Sequence, residues 1–162
     1  MKLLIATFVI CLSLVNLRLT HGEEHKPPNI VLIFTDDLGW KDAGYQGGVG
    51  FETPNIDRLA SEGMVFTNAY AAAGNCEPSR ACLLTGNYTP RHGVFAVNST
   101  SRGARNEMRL IPFPNANGLV SEKITIAEVL KEAGYATGIF GKWQLDRDIG
   151  VKANEQGFDV VF

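Results

Sequence analysis

The stretch Asn29-Ile30-Val31-Leu32-Ile33-Phe34-Thr35-Asp36-Asp37 decides the fold class of this chain. Its first six residues are a short apolar run rich in β-branched side chains, the pattern of a strand buried on both faces of a sheet. The run stops at Thr35, so two carboxylates, Asp36 and Asp37, stand where the strand ends, with Gly39 beyond them. In open α/β sheets that edge binds ligands.

Working outward, Thr53-Pro54 supplies an N-cap and a proline at the first helical position for a helix over Asn55 to Glu62, which Gly63 ends. Ile56, Leu59 and Ala60 would face the core. Met64 to Tyr70 reads as a second strand, and Ala71 to Asn75 as a turn of small residues. Cys76 follows at once. Pro78 suits the first turn of a helix that Ala81 to Thr85 carries to Gly86, so Cys76 is expected just ahead of a helix N-terminus, an end that attracts anions. Between Arg91 and Leu119 the chain is rich in Asn, Gly, Arg and Pro without periodicity, which predicts a long surface excursion. Thr125 and Glu128 make a capping box for a helix through Ala133, ended by Gly134. Tyr135 to Phe140 is then a strand that delivers Gly141 and Lys142. This succession predicts an α/β fold in which Asp36, Asp37 and Lys142 share one sheet edge.

At the other end, Lys2 precedes the apolar run Leu3 to Val15, and small and polar residues follow around Thr20, His21 and Gly22. That is the layout of a secretory signal peptide over residues 1–22, leaving 23–162 as the exported part. The run is shorter than the roughly 20 apolar residues of a spanning helix, so no transmembrane anchor is expected. Cys11 leaves with the leader, and Cys76 and Cys82 remain. Six residues apart at a helix start, they point in different directions, which ranks a disulfide below a functional Cys76 beside a packed Cys82. The balance of 15 Lys and Arg against 17 Asp and Glu, a formal charge of −2, suggests no nucleic-acid partner.

The segment Cys76-Glu77-Pro78-Ser79-Arg80-Ala81-Cys82-Leu83-Leu84-Thr85-Gly86 closely resembles the sulfatase signature, CxPSR with a short spacer and Thr-Gly. The resemblance implies an alkaline phosphatase/sulfatase-like central sheet flanked by helices. It runs from about Pro28 onward and covers the first part of the family's catalytic domain, so the fold is expected to be incomplete, with apolar faces uncovered. It also implies that a formylglycine-generating enzyme oxidises Cys76 to an aldehyde whose hydrate carries two hydroxyls. One hydroxyl attacks sulfur and displaces the alcohol; the second loses its proton and collapses to the aldehyde, expelling sulfate. A serine forms the ester but cannot eject it this way.

Arg80, four residues after Cys76, lies on the same side of the helix start and in the signature fixes the nucleophile or an oxyanion. Asp36-Asp37 before Leu38-Gly39-Trp40 resembles the family's calcium-binding carboxylates, with the residue made from Cys76 as a further metal ligand; hard carboxylate oxygens suit such an ion. Gly134 to Trp143 resembles the second sulfatase signature, whose lysine contacts sulfate, so Lys142 inherits that role. The family usually has His two residues later, where this chain has Gln144; glutamine can donate a hydrogen bond to sulfate but carries neither a proton nor a positive charge at neutral pH. Thr89-Pro90-Arg91-His92-Gly93 also resembles the family, with His92 read as structural. Asn87-Tyr88-Thr89 and Asn98-Ser99-Thr100 are acceptor patterns for N-glycosylation, Asn98 the favoured one.

These features predict an exported sulfuric ester hydrolase acting on a sulfated carbohydrate or an aryl sulfate. Two alternatives stand beside it. A non-catalytic secreted protein would bind an anion or glycan without turnover, and a phosphonate or phosphodiester hydrolase on the same scaffold would prefer phosphorus over sulfur in paired aryl esters.

Overall fold

Helices in this protein form where the sequence supplies their ends; strands form only where two segments meet. The computed structural model describes residues 26–101 and 103–162, so the expected leader lies outside the described residues. The chain divides into two units, residues 1–35 and 36–162. In the first, residues 26–35 have no regular secondary structure, and Ile30, Val31, Leu32, Ile33 and Phe34 are exposed. The strand expected over Asn29 to Phe34 is therefore not formed. An apolar run becomes a strand only when a neighbour completes its ladder of hydrogen bonds, and the sheet formed among the described residues does not include it.

The second unit holds four helices among the described residues: α1 (Pro54–Glu62), α2 (Cys76–Thr85), α3 (Thr89–His92) and α4 (Ile126–Glu132). Short 3₁₀ turns cover Gly44–Gln46, Arg105–Glu107 and Ala153–Gln156. Strands β1 (Gly138–Ile139) and β2 (Val160–Val161) pair in parallel. This is the expected α/β class, but with a small sheet. The strand foreseen over Tyr135 to Phe140 shrinks to β1, and Met64 to Tyr70 forms none, with Met64, Phe66 and Tyr70 strongly exposed.

Local signals fared better. Helix α1 begins at Pro54 as expected, but Thr53 does not cap it with its side chain. Its hydroxyl instead donates to Asp57 Oδ1 at 2.9 Å and accepts from the Gly44 amide at 2.8 Å. Asp57 also accepts from the Tyr45 amide at 2.8 Å, so α1 is held to the Gly44–Gln46 turn by polar contacts. Ile56 and Leu59 remain exposed, contrary to expectation, because the contacts that hold the helix lie on its polar side. Helix α4 carries the foreseen capping box: Glu128 N donates to Thr125 Oγ1 at 3.3 Å and Thr125 N to Glu128 Oε2 at 2.8 Å. Its end is closed by Tyr135 N donating to Leu130 O at 3.0 Å, across Gly134 at φ +86°.

The core lies between α2 and the two ends of the long excursion. Ala81, Val94, Leu119 and Leu145 are fully buried together, with Leu84, Ala116 and Trp143 packed against them. Backbone bonds from Leu119 N to Leu145 O (2.8 Å) and from Val151 N to Leu119 O (3.1 Å) lock this crossing. Gly118, at φ +131°, passes so close to Gly150 that a Cβ would lie 2.8 Å from its Cα and collide with the Arg147 carbonyl. The excursion is irregular, as expected, yet not loose. Asn115 Oδ1 accepts from the amides of Phe95 (2.7 Å) and Ala96 (3.1 Å), while its Nδ2 donates to Ala96 O at 2.8 Å.

Candidate active site

The start of α2 organises the site. Asn75 is the N-cap in extended conformation, and Cys76 is the first helical residue rather than the residue ahead of the helix. One face of α2 turns inward through Glu77, Pro78, Ala81 and Cys82, all buried. Cys76 and Arg80, one turn apart, are half-buried.

Lys142 arrives from the far side of the sequence. After β1, Gly141 adopts φ +107° and its amide donates to Phe162 O at 2.7 Å, which ties the turn to the end of β2. The Lys142 ammonium donates to Asp36 Oδ2 at 2.6 Å, and Arg80 Nη2 stands 3.6 Å from the same oxygen. Arg80 Nη1 also donates to the Lys142 carbonyl at 2.6 Å. Three of the residues singled out from sequence, separated by up to 106 positions, thus meet on one carboxylate oxygen. The Lys142 ammonium, hydrogen-bonded to Asp36, holds that carboxyl below its usual range, with Arg80 adding to the effect. In return the Asp36 bond raises Lys142, and the Cys76 side chain beside it raises it further, so Cys76 lies close to this lysine.

Asp37 and Gln144 are not drawn into these contacts. Neither makes a hydrogen bond or ion pair with Lys142 among the described residues. Both adopt positive φ, +57° and +62°, and Gln144 Oε1 is buried without a hydrogen-bond partner among the described residues. The carboxylates of Asp36 and Asp37 have the donor chemistry of a calcium site. They supply part of the about six to eight oxygens such an ion takes. No group of three or more His, Cys, Asp or Glu able to hold a metal occurs among the described residues.

Two features behind Cys76 were not foreseen in full. His92 Nδ1 accepts from the Val94 amide at 3.1 Å, which leaves the proton of the neutral ring on Nε2, 3.3 Å from Cys82 Sγ. Burial lowers the His92 pKa, helped by the Lys123 charge, and burial raises the Cys82 thiol. His92 therefore pins α2 to the excursion, the structural role expected of it, and Cys76 and Cys82 are both free thiols. Glu77 is the surprise. The sequence shows an acid in a first helical turn, which normally faces water; here the residue is fully buried, and neither carboxylate oxygen makes a well-formed hydrogen bond among the described residues. Burial raises its pKa, opposed by Arg147 and the Asn98 amide.

The sulfatase family profile matches residues 28–162. N-acetylgalactosamine-6-sulfatase of Canis lupus familiaris is 41% identical over 137 residues, 85% of this chain and 25% of that protein. Arylsulfatase G of Homo sapiens is 42% identical over 146 residues, 88% of this chain and 24% of that protein. The crystal structure of Ps i-CgsB superposes with a TM-score of 0.67 at 38% identity, covering 83% of this chain and 27% of that one. The chain spans about a quarter of the length of the relatives it matches. The match takes in both signature segments and the carboxylate pair ahead of them, and on that ground the chain belongs to the sulfatase family.

Proposed function

We propose that the protein is an exported sulfuric ester hydrolase that uses formylglycine made from Cys76. The observation that carries this reading is the convergence of Arg80 and Lys142 on Asp36, with Cys76 within reach of the Lys142 charge. A sulfate ester spreads negative charge over its oxygens and gathers more on the way to the transition state, so two cations held beside the nucleophile are what the reaction needs. Asp36 keeps both extended side chains in place before substrate arrives. The hydrated aldehyde supplies two hydroxyls on one carbon, one to attack sulfur and one to expel sulfate.

Lys142 would bind a sulfate oxygen, and Arg80, bonded to the Lys142 carbonyl, would orient the residue at position 76. Gln144 would offer its amide N–H to the ester. Asp36, Asp37 and the residue made from Cys76 would contribute to a calcium ion, which when bound polarises a sulfate oxygen as a Lewis acid. The relatives' names point to a sulfated amino sugar or an aryl sulfate as substrate class. Export would bring the chain into contact with the formylglycine-generating enzyme; no helix among the described residues is long and apolar enough to cross a membrane.

The test is hydrolysis of a generic aryl sulfate, and of the matching aryl phosphonate, by the product of the full coding sequence made in a host that oxidises the signature cysteine. Sulfate release that disappears in Cys76→Ala is the expected result. Binding of sulfated sugar without turnover would replace the proposal with a non-catalytic role, and faster turnover of the phosphonate would move it to phosphorus.

A further inference from the structure

The two N-glycosylation patterns sit in opposite structural settings. Asn87 is half-buried just past the C-cap of α2, and its Nδ2 donates to Thr85 O at 2.9 Å, while its backbone amide approaches Thr85 Oγ1 at 3.3 Å. The third residue of that pattern, Thr89, begins α3. A sugar on Asn87 Nδ2 would have to break the bond to Thr85 and make room in the turn that ends the cysteine helix.

Asn98 is exposed on the excursion, outside any helix or strand. Its backbone has φ +65°, a left-handed conformation that asparagine tolerates better than most residues. Its carbonyl O accepts from Asn115 Nδ2 at 3.1 Å, and its side-chain Oδ1 accepts from Arg147. Its Nδ2 makes no hydrogen bond among the described residues. The acceptor atom is therefore the one part of Asn98 that the fold leaves uncommitted.

We propose that Asn98 is an N-glycan acceptor and that Asn87 is not. In the step, Asn98 Nδ2 forms a bond to C1 of the reducing sugar of a polyprenyl-pyrophosphate-linked oligosaccharide. The C1–O bond breaks, the pyrophosphate leaves with the electron pair, and one amide proton passes to a base of the host's transferase. The product amide keeps Oδ1, so the contact with Arg147 survives modification, and the glycan adds its bulk on the solvent side.

The experiment expresses the chain in a eukaryotic secretory host, once with its own first residues and once behind a heterologous leader, and reads glycan number by gel shift before and after a peptide N-glycosidase, an amidase that leaves aspartate at the acceptor. The reading is taken on the intracellular pool, where the chain is counted whether or not it is secreted. One shift is expected, lost in Asn98→Gln and in Thr100→Ala, retained in Asn87→Gln, with the aspartate found at position 98 by peptide mass. A chain unshifted even behind the heterologous leader, a shift lost in Asn87→Gln, or two shifts would overturn the proposal. A shift seen only with the heterologous leader would support the acceptor and reject the signal peptide. None of these outcomes depends on sulfatase turnover.

Discussion

Helix α2 and the segment Met64 to Tyr70 lie a few residues apart in sequence and came to opposite ends. Both carry apolar side chains, and both were expected to be regular. Helix α2 satisfies its backbone within itself, starts from an extended Asn75, stops at a left-handed Gly86, and buries Pro78, Ala81 and Cys82. Met64 to Tyr70 has no ladder partner among the described residues and leaves Met64, Phe66 and Tyr70 in water. A helix closes its own hydrogen bonds, whereas a strand borrows them from a neighbour that may lie far away in sequence. The candidate site forms in this chain because Cys76 and Arg80 stand on the self-sufficient kind of element.

The sharpest break of that comparison is in the chemistry. With the full coding product, Lys142→Ala is expected to lower kcat/KM on an aryl sulfate by about 100- to 1,000-fold, the usual cost of losing one preorganised charge at a developing anion. A variant that lost only KM would show that Lys142 binds the ground state and leaves the transition state alone.

Stability tests separate the two regions directly. In the 162-residue chain, Leu119→Ala is expected to cost about 3 kcal/mol, because Leu119 is fully buried against Ala81, Val94 and Leu145. Phe66→Ser is expected to stay within about 0.5 kcal/mol, since that ring is 71% exposed. Equal costs in urea titrations would mean that Met64 to Tyr70 is packed after all.

A smaller effect probes whether local signals set the helices. Thr125→Ala removes the side chain that caps α4 and that donates to Gln156 O at 2.8 Å, and is expected to cost about 1 kcal/mol. Thr125→Ser should restore most of it, because the hydroxyl alone makes both bonds.

The smallest concerns pH. Burial depresses the His92 pKa in the folded state, with Lys123 adding to the shift and Cys82 facing the ring, whereas the unfolded chain titrates near the ordinary value of about 6.5. Below that value the unfolded chain takes up a proton that the folded chain refuses. The contribution is therefore fully present above pH of about 6.5 and is lost as pH falls toward the folded-state pKa. His92→Gln should flatten that part of the stability profile measured between neutral and mildly acidic pH. An unchanged slope would assign it to other groups.

Much of this architecture was legible because its signals are short-ranged. Pro54, the Thr125–Glu128 box, Gly86 and Gly134 marked helix ends that the structure keeps. Asp36, Arg80, Lys142 and Cys76 stand out in the sequence, and the fold brings them together. A shared sheet edge accounts for only part of this, since Lys142 follows a strand but the residues ahead of Asp36 form none. What stayed hidden depends on the third dimension. The burial of Glu77, the use of Thr53 as a bridge in place of a cap, and the stapling of the excursion by Asn115 follow from which segments pack together, and no spacing in the sequence encodes that.

The central claim, that Cys76 is the precursor of an aldehyde nucleophile, is tested most directly by the mass of the peptide containing it. The protein should be the full coding product, secreted from a host that has the cysteine-oxidising enzyme. The account predicts the mass of formylglycine at position 76 with Cys82 still a thiol. An unmodified thiol at both positions, in a host shown to convert a known sulfatase, would contradict it.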